Sequence, residues 1–240
     1  MEVLLSDIAA GRIPPGAALP RETDLAEQFR VSRGVVRECV RGLEERGLVT
    51  VKHGRGATVC APDAWDLFNP DVLGAVLQGA GGAAVLAEYL ECRRLLEIEA
   101  AGLAAERARE RDLAALSDAL ERMRAAAERA PDNAGAESLY HQADIDFHQA
   151  VISATGNRAL GRMTQPIHRA LAMARRPLAR PGLRIARSIP EHRRILTAIA
   201  TADAVEARAA MHDHLATVEG YLREYAEAIA DAESEAPRRG

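Results

Sequence analysis

Apolar residues recur at helical spacing through most of this chain, and one short interval alternates instead. Residues 2–10 set Val3, Leu4 and Ile8 on one side, which predicts a short amphipathic helix. Gly11 and Pro14-Pro15-Gly16 end it in a loop. Thr23 is placed to N-cap a helix over 24–29. Arg30-Val31 then turns the chain, Ser32 suits the N-cap of a helix over 33–46, and Gly47 fits the position just past its end. Val35, Val36, Val40 and Leu43 give that helix an apolar side. Arg33, Arg37 and Arg41, four apart, form one outer stripe. Leu48-Val49-Thr50-Val51 and Ala57-Thr58-Val59 are β-prone, with His53-Gly54-Arg55-Gly56 as the tip of a hairpin between them.

From about residue 70 the spacing is helical nearly to the end. It predicts helices over 70–79, 82–109, 112–129, 136–155, 157–176, 190–201 and 203–230, with breaks at Pro131, Gly156, Pro177 to Gly182, and Pro190. Strands do not alternate with helices, so a parallel sheet is not expected. The fold class is therefore mainly α: an N-terminal winged helix-turn-helix followed by an all-helical bundle. The domains read as 1–60 for the winged module, 61–70 for a linker, 71–230 for the helical domain and 231–240 for a flexible tail. Within the linker Trp65, Leu67 and Phe68 are expected to dock on one domain.

Composition adds little until it is divided along the chain. The 240 residues are 48% hydrophobic, enough for two cores. No uncharged apolar run reaches membrane-spanning length, and no basic-then-apolar leader is visible. Cys39, Cys60 and Cys92 lie far apart with no Cys-x-x-Cys, which suits a reduced, cytoplasmic setting. The net charge of −4 argues against a general nucleic-acid coat. Yet residues 30–56 carry seven Lys/Arg against three Asp/Glu. A basic head on an acidic body suits a DNA reader with a regulatory domain.

The candidate chemistry follows this division. Arg33 and Arg37 could bond guanine edges or phosphates, and backbone N–H groups near Ser32 could hold a phosphate. The wing tip His53-Gly54-Arg55 could approach a groove closely. A solvated charged helix followed by a β-turn would look similar. In the second domain, Asp144 and His148 share a face with Leu139, Phe147, Val151 and Ile152. His192 aligns with Leu196 and Ile199, and His214 with Ala207, Met211 and Val218. One carboxylate and three imidazoles thus point inward from three helices. A shared cation would offset their burial, and Zn, Ni, Mn or Fe all suit such donors. Four separately hydrogen-bonded core residues remain the alternative. His212, His141 and His168 fall off these stripes, and Glu191 is expected to point elsewhere on its helix.

Pro15-Gly16, Leu19-Pro20, Glu22, Leu25-Ala26, Val31-Ser32-Arg33, Val36-Arg37-Glu38, Gly47-Leu48-Val49 and Gly54-Arg55-Gly56 resemble the winged-helix domain of GntR-family bacterial transcription regulators. The resemblance implies that Arg33 and Arg37 read an operator and that His53 and Gly54 enter the minor groove. Thr23 and Gly34 depart from the family pattern. Glu91-Cys92-Arg93 with Glu97, Asp144-Ile145-Asp146-Phe147-His148 with Gly156-Asn157, Glu191-His192 and Met211 with His214-Leu215 resemble the all-helical ligand-binding domain of the FadR subfamily, the FCD type. That likeness implies that Asp144, His148, His192 and His214 ligate a divalent metal that receives a carboxylate effector. Arg93 would pair with the effector, or with Glu97 four residues on. Asn157 would bind it, or merely cap the next helix. The phrase Trp65-Asp66-Leu67-Phe68-Asn69-Pro70 is similar to one in regulators of sugar-acid catabolism. The function expected is a homodimeric, ligand-responsive regulator, a repressor acting on a palindromic double-stranded DNA operator. A metal-dependent hydrolase or lyase with an appended DNA module is the alternative.

Overall fold

The computed structural model describes residues 1–52, 56–79, 81–129, 134–174 and 181–235. The chain divides into two compact units, Met1–Leu86 and Ala87–Gly240.

The first unit holds α1 (Glu2–Ala9), α2 (Glu22–Phe29), α3 (Arg33–Glu45), β1 (Val49–Lys52), β2 (Gly56–Val59) and α4 (Pro70–Leu77). Leu4, Leu5 and Ile8 of α1 bury against Leu25, Val36, Val40, Leu43 and Leu48. The inward stripe of α1 includes Leu5 rather than the expected Val3, which is 56% exposed, as is Val35 on α3. Ser32 caps α3 as anticipated, its Oγ accepting from the Val35 N–H at 3.3 Å. Past the helix, the Leu48 N–H donates to the Leu43 carbonyl and Gly47 turns through φ 73°, a Schellman-type stop. Thr23 does not cap α2. That helix begins at Glu22, and the Thr23 hydroxyl donates to Asp24 instead.

β1 and β2 pair antiparallel from Val49↔Val59 to Lys52↔Gly56. The loop before α2 adds a third edge, bridging Ala18 to Thr58. The chain then makes one 3-10 turn, Pro62–Ala64. Trp65 donates from Nε1 to the Cys60 carbonyl and, with Leu67, packs on the first core, whereas Phe68 is exposed. Asn69 caps α4. That helix was expected to open the second domain, but Val72 and Val76 bury into the first unit, so burial carries it there.

The second unit holds the greater part of α5 (Gly82–Arg107), then α6 (Glu110–Arg129), α7 (Ala134–Ala154), α8 (Arg158–Ala174), α9 (Pro181–Ala200) and α10 (Ala204–Glu235). Ala100, Ala101, Ala104 and Ala105 give α5 a small-residue face. Phe147, Val151, Ile195, Ile199, Met211 and Leu215 fill the same core from α7, α9 and α10. Pro190 was expected to break the chain but lies inside α9. An internal proline costs about 3 kcal/mol, and burial of Ile195 and Ile199 on the same helix outweighs it. α10 runs on to Glu235, so the first half of the expected tail is helical.

Candidate functional site

The outer side of α3 is built by subtraction. Val36, Val40 and Leu43 are taken by the core, so Arg33, Arg37 and Arg41 stand exposed on the remaining surface. The Arg37 guanidinium donates from Nε to Glu22 Oε2 at 2.8 Å, and that hydrogen bond raises its already high pKa. Arg41 pairs with Glu45 at 3.1 Å. Glu44, the penultimate residue of α3, accepts from the Val51 N–H at 2.9 Å and ties β1 to α3. His53, Gly54 and Arg55 lie outside the described residues, between the paired ends Lys52 and Gly56.

The second unit brings the four inward residues of α7, α9 and α10 together. One ligand atom from each of Asp144, His148, His192 and His214 lies within 4.8 Å of all the others, and all four residues are buried. His192 Nε2 is 3.2 Å from Asp144 Oδ1, and His148 Nε2 is 3.9 Å from it. His214 Nε2 and His148 Nε2 face each other at 3.3 Å.

Each ring has a partner behind its Nδ1. His192 Nδ1 donates to the Ser188 carbonyl at 2.8 Å. His214 Nδ1 donates to Glu191 Oε2 at 2.9 Å. His148 Nδ1 meets Glu97 Oε2 at 2.7 Å in a bent contact. An acceptor behind Nδ1 favours the proton there and turns Nε2 of each ring toward the other donors. The Nε2 atoms of His148 and His214 lie 3.3 Å apart, and His192 Nε2 has no hydrogen-bond partner among the described residues. Imidazole nitrogens and a carboxylate oxygen brought this close in a buried place are costly unless a shared cation satisfies them. The donor set fits such a cation.

Proton affinities agree. Burial pushes His148 down to about 4 against the opposing pull of Glu97. Burial, then the neighbouring His192 and His148, hold His214 well below its ordinary value. Both rings are thus neutral at pH 7, the form that ligates a metal.

Behind His148 stands a second buried group that the sequence reading did not assemble. Glu97 Oε1 accepts from Arg93 Nε at 2.9 Å and from His168 Nε2 at 2.8 Å. Burial alone would raise the Glu97 carboxyl, but Arg93, His148 and His168 outweigh it and hold it well below its ordinary value. For Arg93, the internal pair with Glu97 is the contact present, while its buried Nη1 has no hydrogen-bond partner among the described residues. Asn157 accepts from the Ala159 and Leu160 N–H groups, so it caps α8. His168, set aside from its position on the edge of an apolar stripe, is buried in this layer. Glu191, expected to point away, reaches His214. His212 is exposed and pairs with neighbouring Asp213. A signal for Glu97 was present in the sequence: an inward arginine requires an inward acid, and only the fold shows that this acid also serves two histidines.

Comparison with known proteins accounts for both units. Residues 1–59 match the family described as bacterial regulatory proteins, gntR family, and residues 88–217 match the FCD domain. The chain is 33% identical over 225 residues to the HTH-type transcriptional regulator LutR of Bacillus subtilis, covering 92% of this chain and 98% of that one. It is 34% identical over 157 residues to the galactonate operon transcriptional repressor of Escherichia coli, covering 65% and 66% of the two chains. With the Uxu operon transcriptional regulator of Escherichia coli it shares 31% over 218 residues, 88% of this chain and 80% of that one. Among solved structures it is similar in fold to Lar of Listeria monocytogenes, with a TM-score of 0.63 at 19% identity over 92% of this chain and 94% of that one. A similar fold occurs in McbR/YncC of E. coli, with a TM-score of 0.54 at 21% identity over 93% and 95% of the two chains.

Proposed function

This chain belongs to the gntR family of bacterial regulatory proteins and carries an FCD domain, and from that premise we propose a metal-assisted, carboxylate-responsive repressor of a catabolic operon. It is a DNA-binding transcription regulator and not an enzyme. The hydrolase or lyase alternative falls with that assignment, because its relatives are named as regulators.

The observation that carries the finer reading is the convergence of three imidazoles and one carboxylate in a buried place, one ligand atom of each within 4.8 Å of the others. Asp144, His148, His192 and His214 would hold one divalent cation, Zn by preference, with Ni, Mn or Fe also suited to these donors. The bound cation supplies a Lewis-acidic anchor for an anionic ligand. Arg93 would take the ligand's carboxylate through its unpaired Nη1 while Nε stays with Glu97. The alternative role of Asn157 as a ligand contact is dropped in favour of its cap. The names of the galactonate and Uxu operon relatives support a sugar acid or related hydroxy acid as effector.

On the nucleic-acid side, Arg33 and Arg37 would contact the operator, with a phosphate at the N-terminus of α3 near Ser32 and the wing residues His53, Gly54 and Arg55 in the adjacent minor groove. A homodimer would present two such helices to a palindromic site in the cytoplasm. No described helix is long and apolar enough to cross a membrane.

Elemental analysis of the purified chain tests the cation. About one divalent ion per chain is expected, and none in the paired variant His148→Ala with His214→Ala. Full occupancy in that variant would overturn the ligand set. A thermal-shift series of sugar acids on the metal-loaded chain, followed by gel shifts on palindromic DNA, tests the effector. If no sugar acid raises the melting temperature or alters the gel shift, the effector class is wrong.

A further inference from the structure

Four buried groups behind the cation cluster form one continuous chain of contacts. Arg93 Nε and His168 Nε2 both bond Glu97 Oε1, at 2.9 and 2.8 Å. That leaves Glu97 Oε2 facing His148 Nδ1 at 2.7 Å. Side-chain exposure is 2% for Arg93, 1% for Glu97, 4% for His168 and 1% for His148. A carboxylate buried this deeply is stable only while its partners hold it, and they come from three helices, α5, α7 and α8.

We propose that Glu97 is the positioning residue of the cation site and that Arg93 and His168 act through it. Glu97 meets His148 at Nδ1, the ring nitrogen opposite the Nε2 that faces Asp144 and His214. Its effect on His148 is twofold. An acceptor at Nδ1 keeps the proton there and leaves Nε2 free to donate its lone pair. The negative charge beside the ring also makes that lone pair a stronger donor. The other two histidines have their own acceptors, Ser188 and Glu191, so the dependence on Glu97 is specific to His148. His168 also lines a surface cavity of about 180 Å³, together with Gln149, Ser153, Thr164 and Gln165. It holds the Glu97 carboxylate from the opposite helix, and without it Oε1 would have Arg93 alone.

This proposal rests on the cation reading above, so the test separates the two. Imidazole ¹⁵N NMR on the chelator-treated full chain needs no cation. His148 is expected as the Nδ1–H tautomer in the parent chain and as a mixture or the Nε2–H tautomer in Glu97→Ala. The same tautomer in both chains would overturn the proposal whatever binds in the cluster. Competition for Zn²⁺ against a chromophoric chelator then gives the consequence. Loss of the supporting partner costs about tenfold to a hundredfold in affinity in comparable sites, and that loss is expected for Glu97→Gln. Co²⁺ absorption bands should shift in the same variant, which a merely structural role would not produce. Because removing Glu97 strands the Arg93 charge, His168→Gln serves as a second variant. It keeps a side-chain donor for Glu97, and a smaller affinity loss with the same spectral shift is expected. Parent-like Zn²⁺ affinity and Co²⁺ bands in both variants would overturn the positioning role. A parent chain that binds no Zn²⁺ would overturn the cation reading and leave the tautomer result standing.

Discussion

His148 ties the stability of the helical unit to pH. Its pKa falls from an ordinary 6.5 to about 4 on folding, chiefly through burial. Between those values the unfolded chain binds a proton that the folded chain refuses. Stability is therefore full above about pH 6.5 and declines as the pH falls toward 4. At 1.36 kcal/mol per pKa unit the loss is on the order of 3 kcal/mol. His214 shifts in the same direction. Glu97, held below its usual range, adds a further loss at still lower pH. Urea melts of the chelator-treated chain at pH 7.5 and pH 4.5 check this. A lower midpoint is expected at pH 4.5, and equal midpoints would mean that the imidazoles are hydrated rather than buried. Gly47 is a second residue with a single-atom consequence. Its φ is 73°, and a Cβ there would lie 2.0 Å from the Ala64 carbonyl oxygen, a backbone atom. Gly47→Ala thus combines a left-handed conformation with a clash that only a shift of the 3-10 turn relieves. A loss on the order of 2–4 kcal/mol from the winged unit is expected. A melting temperature unchanged from the parent would show that the turn gives way freely.

Among the elements, α3 carries the most direct test. Arg37 is exposed, and its carboxylate partner is exposed too, so their ion pair adds little to folding. Its importance lies in where it holds the guanidinium. Arg37→Ala is expected to weaken operator binding by about tenfold to a hundredfold, with the helical content unchanged by circular dichroism. An unchanged gel shift would remove Arg37 from the interface. Glu22→Gln should leave DNA affinity intact or raise it, because Arg37 then has no competing anion. How much of the molecule could be read from the chain alone also differs by element. α3 was legible because its cap, its three-residue core stripe and its glycine stop are local signals. The placement of Asp144, His148, His192 and His214 on inner faces followed from helical spacing, and the structure brings them together. Pro190 misled because proline is a local breaker, and the burial that overrides it comes from Ile195 and Ile199 packing across the unit. Val3 and Val35 misled because apolar identity does not say which neighbours of a short helix reach the core. Glu97 and His168 lie 71 residues apart, and no periodicity joins them. Glu191 is adjacent to His192 in sequence and yet supports His214 on another helix, a pairing that only tertiary packing creates.

At the scale of the whole molecule the claim is one of linkage between two activities that reside in separate units. A repressor that releases DNA on binding its effector must bind the effector less tightly when DNA is present, and by the same factor. The size of that factor is set by how differently the effector binds the DNA-competent and DNA-incompetent states, not by how tightly it binds either. If a sugar acid weakens operator affinity of the metal-loaded chain thirtyfold, about 2 kcal/mol of coupling is implied, and operator DNA must weaken sugar-acid affinity thirtyfold in turn. Isothermal titration of the effector with and without operator, beside gel shifts with and without effector, gives both factors. Unequal factors would mean that the two assays follow different species, for example a change in oligomeric state. The paired variant His148→Ala with His214→Ala separates the roles further. It lacks two of the four cation donors but none of the exposed arginines of α3, so it should bind operator with parent-like affinity and lose the response to the sugar acid. Retention of the response in that variant would place the effector away from the donor cluster. Loss of basal DNA binding would mean that the cluster sustains the DNA-competent state even without effector.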